Sequence, residues 1–484
     1  MSAKSMSNRP TPLVALSVAV LATLGGCVRE PTASRDDAKP PSTIVLVTID
    51  TLRADHLPFH GYPRDTAPFL DRLAGESALF KRCLSASATT APSHASIFTS
   101  LPPSLHGLVR NGQHLDESIP TLAESLAAKG YETAAFTSVS FLRGVKKGFE
   151  TFQTRTKDDA AAKKTSLTIG AYLPADVIVD RAAEWLGRLK PDAKAFLWVH
   201  VYDVHQWKSD DVPPEALAEL RRRDAADENA PESYGQLAVD RYAADPEAQR
   251  WKPAQFKTLI DNYDAQLVFV DGQLERLYES AREFGRASDA LWLITSDHGE
   301  GLGSHGYESH GKFLYEEQLH IPLIAHFSDD RYAGQVREEL VRTVDLFATV
   351  EELVGQGASP HASGRSLVPL LTADRGREPH RLAFAERRPV DDNKIGMGWT
   401  DESLHSVQSQ RHKYILHGAS KDEFYDLRED PLELVNRIAD PSKVRDDLKS
   451  RLEVHARLLS DEGRTMGEID PAYLEELEQL GYLK

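Results

Sequence analysis

The feature that most narrows the fold is a set of short apolar runs without alternation. Ile44-Val45-Leu46-Val47-Thr48-Ile49 is unbroken and stops at Asp50. A strand with one wet face alternates apolar and polar residues. A β-branched run without that alternation belongs to a strand covered on both faces, as in a parallel sheet. Similar runs recur at 133–137, 196–201, 291–296 and 321–327. Helical spacings fall between them, such as Ile119, Leu122, Ala123 and Leu126. This alternation predicts an α/β fold, a doubly wound and mostly parallel sheet.

The sheet pattern closes near Leu371, so residues 42–375 are expected to form the main domain. Residues 376–484 then form a smaller α+β subdomain of short strands, turns and an acidic C-terminal helix. Two polar stretches, 157–168 and 206–253, break the rhythm and are expected as insertions above the sheet, where loops set substrate choice. At the N-terminus, Lys4 and Arg9 precede an apolar run at 13–24, shorter than the ~20 residues that span a bilayer. Leu24-Gly25-Gly26-Cys27 follows and resembles a bacterial lipobox, in which the cysteine is lipidated. Residues 1–27 are therefore expected as a lipoprotein signal, 28–41 as a Pro- and Ser-rich tether, and the location as extracytoplasmic. Val28, where Asp would favour retention, tilts the expectation to the outer membrane. Only Cys27 and Cys83 are present, which leaves no disulfide framework and no cysteine zinc site. Cys83 is expected as a small buried hydrophobe. A formal charge of -17 argues against nucleic-acid partners, although a metal and a few cations can still make one pocket attractive to an anion.

Ligands of open α/β sheets bind beyond the carboxyl ends of the strands. Two of the apolar runs end in an acid there: Asp50, and Asp297 in Ser296-Asp297-His298-Gly299. A single such Asp is commonly a turn former. Two of them, one followed by His298, suit a divalent metal. Thr90 stands just before Pro92, which fits a first helical turn. Its hydroxyl can cap that helix, or act as a nucleophile activated by a metal at the positive helix end.

These segments together resemble the ordered signatures of the sulfatase family within the alkaline-phosphatase superfamily, including phosphonate monoester hydrolases. The matching pieces are Asp50-Thr51-Leu52-Arg53-Ala54-Asp55, the 90–96 block, His106-Gly107, Arg110-Asn111-Gly112, Asp297-His298-Gly299-Glu300 and His310-Gly311-Lys312. Phe424-Tyr425-Asp426-Leu427 with Asp430, Glu433 and Asn436, and the ending Leu480-Gly481-Tyr482, are similar to the family's C-terminal signatures. The resemblance implies that Asp50, Asp297 and His298 hold one divalent metal, with Thr90 as nucleophile and fourth ligand. It implies that Lys312 and His205 meet the transferred group or leaving oxygen, and that Asn111 and His94 contact substrate. His305 and His310 stay outside this set. The mostly oxygen ligands favour calcium, magnesium or manganese over zinc.

The chain also departs from the family. Active sulfatases carry a Cys or Ser that becomes formylglycine where this chain has Thr90, and an arginine where it has His94. Thr51 replaces a common second Asp. Threonine cannot become the aldehyde, so the resemblance shifts toward threonine-nucleophile relatives. The expected activity is metal-dependent hydrolysis of sulfate or phosphate esters on a glycan, lipid or small molecule in the cell envelope. Phosphodiesterase activity falls within that class. Two alternatives remain open: a phospho-alcohol transferase of the same fold, and a non-catalytic homologue that binds a sulfated or phosphorylated glycan.

Overall fold

The computed structural model describes residues 39–159, 172–208, 212–231, 234–241, 252–355, 357, 362–372, 381–388, 402–418 and 421–459. The Cys27 segment, most of the 157–168 insertion and the Leu480-Gly481-Tyr482 ending lie outside them.

Residues from Pro40 onward form one compact unit. Its main sheet has eight strands in the order β4-β3-β5-β1-β6-β7-β2-β8. They are β1 (Thr43–Ile49), β2 (Ala78–Leu84), β3 (Tyr131–Thr137), β4 (Thr151–Thr154), β5 (Lys194–Val201), β6 (Ala290–Ser296), β7 (His320–Phe327) and β8 (Gln335–Arg342). β1 lies at the centre, parallel to β5 and to β6, with Thr43 opposite both Ala195 and Ala290. β7 departs from the parallel pattern and runs antiparallel to both β6 and β2. It carries the same unalternating run because both its faces are covered too. Burial, which the run encodes, does not fix strand direction.

The helices take both faces, and the side chains of β1 show why. Ile44 and Leu46 join one core with Ala91, Ala95, Ile97 and Phe98 of α2 (Thr90–Thr99), Leu122 and Leu126 of α3 (Leu122–Ala128), and residues of the helix 345–353. Val45, Val47 and Ile49 join the opposite core. Its partners are Phe69, Leu70 and Leu73 of α1 (Pro68–Gly75), Ile178 and Ala182 of α4 (Ala175–Arg188), and Leu267 and Val270 of α5 (Pro253–Glu283). The period-two alternation of side chains thus feeds two apolar layers, which is the doubly wound arrangement. α3 starts at Leu122, later than Ile119 suggested, because Thr121 caps it. Glu124 N–H donates to the Thr121 hydroxyl and the Glu124 carboxylate accepts from Thr121 N–H. Cys83 is fully buried, and burial pushes its thiol well up. Among the described residues of the stretch 206–253 are the helices Pro214–Ala226 and Tyr234–Arg241.

A second, antiparallel sheet follows the main one in sequence, ordered β12-β11-β10-β9. Its strands are β9 (Ala383–Arg387), β10 (Leu404–Gln408), β11 (His412–His417) and β12 (Glu423–Asp426). Leu448 and Leu452 of the helix Lys443–Leu459 pack on Val407, Tyr414 and Phe424. Buried polar contacts tie this sheet to its surroundings. The Ser104 hydroxyl donates to Glu386 at 2.6 Å, and Lys413 Nζ lies 3.0 Å from Glu433 and 3.5 Å from Glu316. Asp426 and Asn436 serve the subdomain: Asp426 accepts from Arg411, and Asn436 Oδ1 accepts from Phe424 N–H.

Candidate active site

The parallel register of β1 with β6 carries two acids to the same sheet edge. Asp50 and Asp297 leave the ends of adjacent strands, and their chain turns are tied together. The Asp297 Oδ1 atom accepts from Thr51 N–H at 3.2 Å and from His298 N–H at 2.9 Å. The Ser296 hydroxyl donates to the carbonyls of Ile49 and His298. Thr51 takes the left-handed conformation, φ 57°, which is costly for a β-branched residue, and its hydroxyl donates to the Asp50 carbonyl. The side chain standing where sulfatases often have a second acid therefore bonds to its own backbone.

Asp50, Asp297 and His298 present ligand atoms within 4.8 Å of one another, all fully buried. His298 Nδ1 is 2.9 Å from the Gly299 carbonyl, which can only accept, so Nδ1 carries the proton and Nε2 offers a lone pair. That Nε2 lies 3.3 Å from the Thr90 hydroxyl and 3.3 Å from Asp297 Oδ2. Thr90 opens α2, directly after its extended N-cap residue Thr89. Burial, then the neighbouring Asp297 carboxylate, pushes Asp50 well above the usual carboxylate range. Burial acts on Asp297 in the same direction, but His298, His94 and His200 outweigh it and hold Asp297 below its ordinary value.

Asp50 Oδ1 and Asp297 Oδ2 are buried without a hydrogen-bond partner among the described residues. Two adjacent buried acids with orphaned oxygens, an imidazole lone pair and a hydroxyl make a donor set that fits a divalent cation. The three residues first expected from the sequence as metal ligands are thus brought together, with Thr90 beside them.

Asn111 lies against the helix mouth, where its Oδ1 accepts from Ala91 N–H at 2.8 Å. Its Nδ2 is buried without a partner among the described residues. His205 Nε2 is 3.1 Å from His310 Nε2 and 3.1 Å from the Tyr202 hydroxyl, and burial pushes its pKa down to about 3. Lys312 Nζ sits 4.7 Å from the ring centre of Phe313 and 5.3 Å from that of Tyr307. His94 lies on α2 itself, on the side that faces β1. Its Nδ1 bonds the Thr90 carbonyl, its Nε2 faces the Thr48 hydroxyl, and burial lowers its pKa to about 3. Both nitrogens are thereby engaged within the protein, a placement that positions α2 and does not present the ring to substrate.

Three residues of this centre are absent from the sequence-based set. His200 Nε2 lies 3.2 Å from Asp50 Oδ2. His310 sets its ring centre 4.3 Å from that of His298, the two planes tilted by 32°. Glu300 accepts from Trp207 Nε1 and Gly301 N–H, while burial pushes its carboxyl up to about 7. A lone histidine inside the buried run 196–201 was the available signal for His200. Arg53 anchors the following loop by donating to the carbonyls of Glu300 and Gly301 and to the Ser304 hydroxyl. Gly299 lets that loop pass close: a Cβ there would stand 2.1 Å from the Glu317 carbonyl oxygen.

Buried acids at the ends of two central parallel strands, facing a hydroxyl at a helix start, make an α/β protein with a centre suited to a divalent cation and a nucleophile. Comparison with known proteins makes this specific. Residues 42–356 match the family Sulfatase, and residues 303–457 match the family described as N-sulphoglucosamine sulphohydrolase, C-terminal. The chain belongs to the sulfatase family. It is 26% identical over 481 residues to the multifunctional alkaline phosphatase superfamily protein PehA of Trinickia caryophylli, covering 82% of this chain and 91% of that one. It is 21% identical over 471 residues to the ulvan-active sulfatase of Formosa agariphila, covering 95% and 89%. The crystal structure of the phosphonate monoester hydrolase of Agrobacterium radiobacter superposes with a TM-score of 0.67 at 22% identity, covering 87% of this chain and 95% of that one. Family membership supports an ester hydrolase, and sulfatases are metal-dependent.

Proposed function

We propose that this protein hydrolyses sulfate or phosphate esters with Thr90 as its nucleophile, independently of formylglycine. The observation that carries the reading is the placement of the Thr90 hydroxyl 3.3 Å from the lone-pair nitrogen of His298, beside the orphaned oxygens of Asp50 and Asp297. Asp50, Asp297, His298 and Thr90 would hold one divalent cation, with calcium, magnesium or manganese favoured by the oxygen-rich set. Such an ion, when bound, neutralises the two acids and lowers the pKa of a neighbouring hydroxyl.

The chain's own groups then divide the work. α2 aims the Thr90 oxygen, which bonds to sulfur or phosphorus as the bond to the ester oxygen breaks, and the proton released by the threonine leaves on the departing alcohol. Water later cleaves the threonine ester and restores the hydroxyl. Asn111 offers its unpaired Nδ2–H to a non-bridging oxygen, since its Oδ1 is already held by Ala91 N–H. Lys312 supplies positive charge toward the transferred group.

The proposed substrate is a sulfated or phosphorylated glycan, lipid or small molecule, reached by a protein anchored through Cys27 to a bacterial membrane, the outer one for preference. Cys27→Ala is expected to move the protein from the membrane fraction to the soluble one, read by immunoblot of fractionated cells. An unchanged distribution rejects the anchor.

The activity is tested with the purified chain on nitrophenyl sulfate, phosphate, phosphodiester and phosphonate monoester, with added divalent metals. Turnover abolished in Thr90→Ala and by chelator is the expected result. Product formed only with an alcohol acceptor would show the transferase. Metal uptake without turnover of any ester would show a binding protein.

A further inference from the structure

β1 carries a hydroxyl two residues before Asp50, and the helix that bears Thr90 leans on it. Thr48, Trp198 of β5, His94 and Thr90 are all fully buried, and three hydrogen bonds join them in a line. Trp198 Nε1 lies 3.0 Å from the Thr48 hydroxyl, that hydroxyl 2.9 Å from His94 Nε2, and His94 Nδ1 2.8 Å from the Thr90 carbonyl. We propose that Thr48 and Trp198 are positioning residues, which set the angle at which α2 presents the Thr90 hydroxyl. The proposal rests on Thr90 being the nucleophile.

The chemistry of its two ends gives this line one direction. An indole N–H can only donate, so the Thr48 oxygen accepts from Trp198. A carbonyl can only accept, so His94 carries its proton on Nδ1 and its Nε2 is bare. The Thr48 O–H then donates to that bare nitrogen. With the ring neutral, no other arrangement of the protons gives each donor in the line an acceptor. The ring centres of Trp198 and His200 stand 5.2 and 5.0 Å from that of His94, so close packing opposes a turn of the ring.

The line ties β1 and β5 to the mouth of α2. In the register of the two strands Thr48 stands opposite His200, whose Nε2 lies 3.2 Å from Asp50 Oδ2. One stretch of paired strand thus holds Asp50 through His200 and Thr90 through His94. His94 meets the carbonyl of Thr90 itself, so a shift at Thr48 passes to the residue that bears the attacking hydroxyl. A displacement of about 1 Å can cost on the order of 100-fold in rate. Thr48 and Trp198, being fully buried, act on the reaction through His94.

Thr48→Val and Thr48→Ser, made in the full chain, separate positioning from packing. Valine keeps the shape and lacks the hydroxyl, whereas serine keeps the hydroxyl and loses a methyl. Positioning predicts that Thr48→Val lowers kcat on nitrophenyl esters roughly 10- to 100-fold with KM little changed, and that Thr48→Ser stays near the wild type. Trp198→Phe, which lacks the indole donor, should lower kcat in the same sense. Packing alone predicts that serine is the worse replacement; that order, or a wild-type kcat in Thr48→Val, overturns the proposal. A second measurement needs neither turnover nor a folded Thr48→Val. Nitrogen NMR of the histidine-labelled wild type, with the His94 signals assigned by their loss in His94→Gln, should show Nδ1 protonated and Nε2 bare. A proton on Nε2 overturns the proposal even in an active enzyme. Absence of turnover on every ester in the wild type would instead remove the hydrolase reading on which the proposal rests, and the tautomer tells the two failures apart.

Discussion

Thr90 is the first helical residue of α2, after the N-cap Thr89, and substitution separates a structural role there from attack on substrate. If its role were structural alone, Thr90→Ala would change stability slightly and stay fully active. As nucleophile, its loss should lower kcat at least about 1,000-fold with Tm little changed, and Thr90→Ser should keep measurable turnover. Steady-state kinetics beside thermal melts distinguish the two. Asn111→Ala removes both the acceptor for Ala91 N–H and the unpaired Nδ2 donor. A fall in kcat of roughly 100-fold is expected, typical of one missing donor to a charged oxygen, together with a loss of about 1 kcal/mol in stability. An effect on stability alone would assign Asn111 to the helix and not to the reaction.

The elements were legible in the sequence to different degrees, and burial explains the difference. β1, β3, β5 and β6 stood out because both faces are covered and the run is continuous. β8 did not, since Arg337, Glu338 and Glu339 interrupt it along the sheet edge. β2 carries half-buried Lys81 and Arg82 mid-strand and was missed for the same reason. In the site, Asp50 and Asp297 were visible because each ends a run. His200 was hidden within one, and Glu300 and His310 are brought in by a loop whose path depends on Arg53 and on backbone contact at Gly299. That loop yields the element-scale prediction. A methyl at Gly299 would stand 2.1 Å from the Glu317 carbonyl oxygen and 3.3 Å from Arg53 Cγ, and the carbonyl is backbone, so Gly299→Ala must move the chain beside His298. It should lower both Tm and metal affinity, checked by calorimetry. Unchanged metal binding would show that the loop can yield without disturbing the ligands.

Across the whole molecule, the small sheet supports the catalytic loop through buried charge. His305 Nδ1 pairs with Glu317 at 3.0 Å, its Nε2 reaches the Glu433 carbonyl, and its ring stacks on Tyr315. Lys413 of β11 holds the Glu433 carboxylate in turn. Burial alone would lower the His305 pKa, but Glu317 and then Glu433 raise it to about 9. The folded state therefore holds a proton that the unfolded chain releases near pH 6.5. This stabilisation is complete below that pH and disappears as pH climbs through about 9. Tm should accordingly fall across this alkaline window in the wild type, and less steeply in His305→Gln. Parallel slopes in the two proteins would exclude His305 as the source.

The central place of β1 has a consequence for biogenesis. The strand that ends up in the middle is made well before its neighbours, since β5 and β6 begin about 150 and 250 residues later. At roughly 5–20 residues per second, a ribosome takes some ten seconds or more to supply the second flank. During that interval a sticky, uncharged ribbon has no native partner. Helpers that shield nascent chains should therefore matter more for the yield of this protein than its finished stability suggests.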